Sequence, residues 1–128
     1  MLNTINSLLN FHNITAPVTV TEWSEKPDLT NKKARGVYII FKDDVIYYVG
    51  KGFIRDRQTT HRQKFLGEFK NARDTRGFKK LREEHGIVDV DNLSFCYIVL
   101  TQESAIGCIE TGLIHMLQPL ANDETNKG

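Results

Sequence analysis

Gly36-Val37-Tyr38-Ile39-Ile40-Phe41-Lys42-Asp43-Asp44-Val45-Ile46-Tyr47-Tyr48-Val49-Gly50 holds two apolar runs separated by an acidic break. Branched and aromatic residues on both sides of a turn-forming pair read as a β-hairpin. Register decides which side chains share a face, because the side-chain period of a strand is two. A two-residue Asp43-Asp44 loop would pair Tyr38 with Val49 and put Tyr38 and Tyr48 on opposite faces. A three-residue loop, Lys42 to Asp44, would set Tyr38 opposite Tyr48. It would also gather Val37, Ile39, Phe41, Val45, Tyr47 and Val49 into one apolar face. The second register segregates polarity better and is the expected one, with Asp44 in the left-handed region.

Working outward, residues 57–70 read as a helix with Phe65, Leu66 and Phe69 inward. Thr75 to Glu84 reads as a second helix, stopped by Gly86. Asp89 to Asn92 is a turn, and Leu93 to Leu100 has the β-rich composition of a buried central strand. Thr101 is placed to cap a helix reaching Leu117, with Glu103 in its first turn and Pro119 beyond its end. Upstream, Leu2, Ile5, Leu8, Leu9 and Phe11 recur at a helical period across residues 1–12. Pro17 to Trp23 alternates as a strand, and residues 24–35 form a polar loop. Hairpin, helices, strand and helix predict an α+β fold: a small central three-stranded, mainly antiparallel sheet flanked by helices. Residues 1–33 form an N-terminal helix and strand extension packed on the core, and residues 34–128 the main domain.

A chain of 128 residues with 40% hydrophobic and 26% charged residues is expected to form an ordinary soluble domain. Its apolar runs are too short to span a bilayer, and no signal peptide is recognisable. Cys96 and Cys108 lie in apolar runs and read as reduced core thiols, which fits a cytoplasmic setting. Net charge is +1, but residues 51–80 hold ten basic and three acidic side chains, a local +7 against −6 elsewhere. Such a stretch is either a solvated helix face or a footprint for a phosphate backbone; its position directly after the tyrosine hairpin favours nucleic acid.

Glu110 stands out without further comparison. Ile106, Leu113, Ile114 and Leu117 flank it at helical spacing, so it interrupts an apolar stripe. A covered carboxylate needs a cation, whether Arg57, Lys51 or a metal. Magnesium can be held by one protein carboxylate when substrate phosphate and water complete its shell. Phenols, an arginine and a lone acid are the parts of a metal-assisted phosphodiester-cleaving site.

The chain resembles the GIY-YIG nuclease family. The two tripeptides are Gly36-Val37-Tyr38 and Tyr48-Val49-Gly50, each with valine for the central isoleucine. Lys51 follows, then Arg57 and His61 one helical turn apart, then Glu110 and, twelve residues on, Asn122 after Pro119. The match covers residues 34–122. Lys51-Gly52 and the closing Asn122-to-Gly128 tail are similar to the branch joined to LEM domains, although no LEM domain is present. Arg55 competes with Arg57; Arg57 keeps the one-turn relation to His61, leaving Arg55 in the preceding loop.

The resemblance implies a metal-dependent endonuclease cutting DNA, with RNA not excluded, using Mg2+ or Mn2+ on Glu110. Tyr38 would be the general base, its phenol ionised more easily through Arg57, Lys51 and the metal. His61 would accept or relay the proton. Arg57 would clamp the phosphate, Tyr48 would position water or phosphate, and Lys51 would add positive field. Asn122 would hydrogen-bond substrate or tie down the chain end. Arg55, Arg62 and Lys64 complete the expected substrate contacts. Competing readings are a nucleic-acid-binding or interaction module with little catalysis, and an RNA-cleaving toxin or ribonuclease. Oligomeric state is not legible.

Overall fold

A computed structural model describes residues 1–22, 33–65 and 93–122, with the side chains of 61–65 outside that description. The expected loop at 24–35 therefore lies largely outside the described residues, as does Trp23. So do the helix extension past Phe65, the Thr75–Glu84 helix, the 89–92 turn, the basic residues beyond Phe65 and the tail after Asn122.

Elements run α1 (Leu2–Phe11), β1 (Val18–Glu22), β2 (Arg35–Lys42), β3 (Val45–Phe53), α2 (Ile54–Phe65), β4 (Ser94–Val99) and α3 (Glu103–Leu117). The sheet has four strands in the order β1-β4-β2-β3, every neighbour antiparallel. The α+β class holds, and the three-stranded expectation is corrected. The N-terminal β1 pairs with β4, Val18 facing Ile98 and Glu22 facing Ser94, and completes the sheet on that side. β4 lies between β1 and β2, which accounts for its apolar residues on both faces.

Side-chain alternation divides the core in two. Val37, Ile39, Val49, Cys96 and Ile98 meet Ile5 and Leu9 of α1 and Ile106, Ile109 and Leu113 of α3. Tyr38, Ile40, Phe95 and Tyr97 form the other face, covered by Ile54 of α2 together with Leu93 and Ala121. Truncating a fully buried isoleucine such as Ile5 to alanine would cost about 2–5 kcal/mol. The α1 stripe is narrower than its sequence suggests, because Leu2 and Phe11 are exposed, Phe11 by 79%. Cys108 is also exposed, whereas Cys96 is buried and its thiol is pushed up to about 12 by burial, so only Cys96 is a core thiol.

The hairpin register departs from expectation in an informative way. Lys42 pairs with Val45 and Phe41 with Ile46, so the loop is the two-residue Asp43-Asp44, with Asp43, not Asp44, at φ 52°. A β-bulge then intervenes: Ile40 pairs with Tyr48, leaving Tyr47 as the extra residue. Tyr38 therefore faces Gly50, not Tyr48. One extra residue restores the face parity that a plain two-residue loop would lose, so Tyr38 and Tyr48 still share a face, as diagonal neighbours. The expected apolar face is changed accordingly. Ile46 joins the α1/α3 side, Tyr47 packs with the other cluster, and Val45 is exposed.

The helices also begin differently. β3 runs to Phe53 and α2 starts at Ile54, so Arg55 lies in the first turn of the helix and not in a loop. Ile54, fully buried, anchors that start, and its N–H donates to the Ala34 carbonyl at 3.1 Å. α3 starts at Glu103 with Gln102 at the cap position, in place of Thr101. It ends as expected before Pro119, with Gln118 left-handed at φ 47° and its N–H returned to Ile114. No described helix is long and apolar enough to cross a membrane.

Candidate active site

Tyr38 comes from β2 and Tyr48 from β3, and their rings stack at a centroid distance of 6.2 Å and an interplanar angle of 26°. Phe95 of β4 continues the row, 5.5 Å from Tyr38, and Tyr97 lies 6.1 Å from Phe95. This row of aromatic rings fixes the phenols laterally. The ends of the phenols need room, and Gly50 provides it. A β-carbon there would overlap the Tyr38 hydroxyl and stand 2.8 Å from Tyr48 Cε1. The cross-strand pairing of Tyr38 with Gly50 is thus the physical reason for the glycine closing the second tripeptide.

The phenols are hydrogen-bonded to each other. That contact pushes the Tyr38 phenol up and the Tyr48 phenol down. Both nevertheless ionise later than a free phenol. Tyr38 is 2% exposed; burial, the Tyr48 phenol and the Glu110 carboxylate push it well up, against the downward pull of Arg57. Burial and Glu110 push Tyr48 up to about 12, again against Arg57. Among the protein's own groups, the expected lowering of Tyr38 is outweighed. Arg57 acts in the expected direction, but loss of hydration outweighs it.

Arg57 is exposed, and its stem crosses Gly52, where a β-carbon would lie 3.1 Å from Nε and 3.4 Å from Cγ. Gly52 also has φ 134°, which side-chain-bearing residues rarely adopt. Arg57 is thus laid back along β3, and its field reaches both phenols. Arg55 is half-buried on the same helix. His61, Arg62 and Lys64 lie on α2 with side chains outside the described set. Gln58, one turn after Ile54, is a buried polar residue that sequence reasoning passed over. An apolar residue four positions before a polar one was the available signal.

Glu110 reaches the same region from α3. Its side chain is 19% exposed, and Lys51 Nζ lies 3.9 Å from Oε1. Burial raises its carboxyl above the ordinary range, while Lys51 lowers it. Among the described residues no group of three or more His, Cys, Asp or Glu forms a metal cluster. Glu110 fits the alternative, a single largely covered carboxylate completed by substrate oxygens and water.

Asn122 stands apart from these groups. It is buried, its Oδ1 accepts from the Val49 N–H at 2.7 Å, and its Nδ2 donates to the Val49 carbonyl at 2.7 Å. Leu120 and Ala121 donate to the carbonyls of Ile46 and Tyr47 at 3.2 and 2.8 Å. The segment after α3 is therefore tied along the open edge of β3, and both polar ends of the Asn122 amide are engaged there. No family model, curated protein or solved structure matches this chain.

Proposed function

We propose that this chain is a metal-dependent endonuclease of the GIY-YIG type, hydrolysing phosphodiester bonds in DNA. The observation that carries the reading is the convergence of two hydrogen-bonded phenols, one arginine and one covered carboxylate at the β3 edge. Their chemistry suits attack of water on a phosphorus with departure of the 3′ oxygen. Arg57, exposed and aimed along β3, clamps the non-bridging oxygens in a bidentate geometry and holds the charge that grows on them. Tyr38 is the general base and Tyr48 orients water or phosphate. With burial raising both phenols above the free value, the base must be generated as substrate binds. The proton leaves Tyr38 toward Tyr48 as Tyr48 gives up its own hydroxyl proton, and His61, one turn from Arg57 on α2, is assigned to receive that second proton. Glu110 would hold Mg2+, or Mn2+ in its place; when bound, that ion supplies charge stabilisation for the leaving oxygen. Arg55, Arg62 and Lys64, with Lys51, are assigned to the phosphate backbone.

A supercoiled plasmid incubated with Mg2+ or EDTA, beside Glu110→Gln and Arg57→Lys, tests this reading. Nicking by the wild type alone, in the metal sample alone, is the expected result. Binding without cleavage would replace it by an interaction module. Cleavage confined to parallel RNA substrates would replace it by a ribonuclease.

A further inference from the structure

We propose that Lys51 is a placeholder cation: it holds Glu110 until a divalent cation displaces it, and is thereby released toward the substrate phosphate. The proposal rests on the assignment of Glu110 as the metal carboxylate. Two ion pairs flank α3, and their difference suggests the role. Arg35 pairs closely with Glu103, and its guanidinium is also held over the Phe53 ring, 5.4 Å from the centroid. That arginine is fixed from two sides. Among the described residues, Lys51 is held from one side only, by Glu110. Its ammonium stands 3.9 Å from Glu110, beyond hydrogen-bond distance, so the contact is one of charge without direction.

Exposure points the same way. Lys51 is 54% exposed while Glu110 is 19% exposed. The carboxylate is anchored among apolar neighbours and needs a cation; the ammonium sits on a flexible stem reached by solvent. Lys51 lies between Gly50 and Gly52, which offer no side chain to hold that stem. A divalent ion that coordinates Glu110 directly carries twice the charge at shorter range, so it displaces the lysine. The ammonium freed by this exchange remains at the β3 edge, beside the position assigned to the scissile phosphate. Loading of the metal and gain of nucleic-acid affinity then become one coupled event.

The test uses Mn2+ alone, without nucleic acid. Paramagnetic broadening of backbone amides around Glu110 gives a site-specific affinity in wild type, Lys51→Met and Lys42→Met. An ion pair with one solvent-exposed partner is worth a few-fold in an equilibrium constant. Lys51→Met should therefore bind Mn2+ about threefold to fivefold more tightly. Lys42→Met, which removes an equal charge at the exposed hairpin end, should change it less than about 1.5-fold. Broadening centred on Glu110 with unchanged or weaker binding in Lys51→Met overturns the placeholder role and leaves the metal assignment standing. Broadening that survives Glu110→Gln, or is absent from every protein, overturns both. The same spectra report folding; should Lys51→Met fail to fold, Lys51→Gln takes its place with the same expected tightening.

Discussion

Replacing Asn122 by alanine removes two buried hydrogen bonds at once. Val49 is essentially inaccessible, and its N–H and carbonyl each bond to the Asn122 amide at 2.7 Å. Neither group gains water easily when the amide is gone. An orphaned buried donor or acceptor costs about 1–3 kcal/mol, so the pair should cost about 2–4 kcal/mol after local relaxation. For a chain of 128 residues the entropy of unfolding is roughly 0.27 kcal/mol/K, which makes that a fall in Tm of about 7–15 °C. Calorimetry measures it, and hydrogen exchange at the Val49 amide locates it. Asn122→Asp adds a check of sign. An ionised carboxylate keeps the acceptor for the Val49 N–H but sets an oxygen against the Val49 carbonyl, whereas the protonated acid can donate there. The folded state thus raises the pKa of this carboxyl. Its contribution is fully present below the unfolded value, about 4, and is lost as pH rises through the folded one. Asn122→Asp should therefore be closer to wild type at pH 4 than at pH 8. A fall in Tm below about 3 °C for Asn122→Ala, with Val49 still protected, would refute the reasoning.

Gly50→Ala should destabilise the protein by about 1–3 kcal/mol, because the new methyl occupies the place of the Tyr38 hydroxyl; an unchanged urea midpoint would show that the phenols have other room. Glu110 has a raised carboxyl in the folded state, so its contribution to stability is full below the ordinary unfolded value near pH 4 and lost as pH rises through the folded one. Glu110→Gln should remove that slope between pH 4 and 8 and abolish cleavage while the protein stays folded; parallel stability curves for the two proteins would contradict the assignment. Arg57→Lys should lose about 100-fold in single-turnover cleavage at saturating enzyme with little loss of binding, and Arg55→Lys should stay within about threefold. The reverse ranking would transfer the clamp to Arg55.

The fold class could be read from periodicity, since alternation and helical stripes are local properties. Tyr38 and Tyr48 were placed on one face by a polarity argument, and they do share it, but through a different register. The argument constrained parity alone, and a bulge at Tyr47 supplies the same parity as a longer loop. Bulges are fixed by tertiary bonds, here the Ala121 N–H to the Tyr47 carbonyl, which comes from 74 residues away in sequence and leaves no local trace. Arg55 was misplaced for a related reason. Its loop was inferred from a family spacing, whereas burial of Ile54 starts the helix directly after β3. The fourth strand was visible as an alternating segment, but nothing in Val18–Glu22 announces which edge it joins. The covered position of Glu110 was legible because a charge in an apolar stripe conflicts with its own surroundings.

The location of the site follows from the layering. Arg57 belongs to α2, whose Ile54 packs on the Tyr38 face of the sheet, while Glu110 belongs to α3, which packs on the Val37 face. Groups on opposite faces of a sheet are separated by the backbone and two layers of side chains, except at an edge. β3 is the edge, and at Gly50 and Gly52 it has no side chains. Over that thinned stretch the field of Glu110 reaches both phenols from the far side, as that of Arg57 does from the near side. An exposed edge strand is also where pairing with another chain begins, and here the Leu120–Asn122 segment takes the backbone groups of Ile46, Tyr47 and Val49. The two glycines make room for the Tyr38 hydroxyl and the Arg57 stem, and the segment beside them covers the rest of the edge. A β-carbon at Gly50 and the loss of the Asn122 amide should then damage the same site by opposite means, one by filling it and the other by releasing the strand that carries it. Both groups act through β3, so their effects on stability should fall short of additive in the double variant, by more than the 0.3–0.5 kcal/mol typical of independent positions.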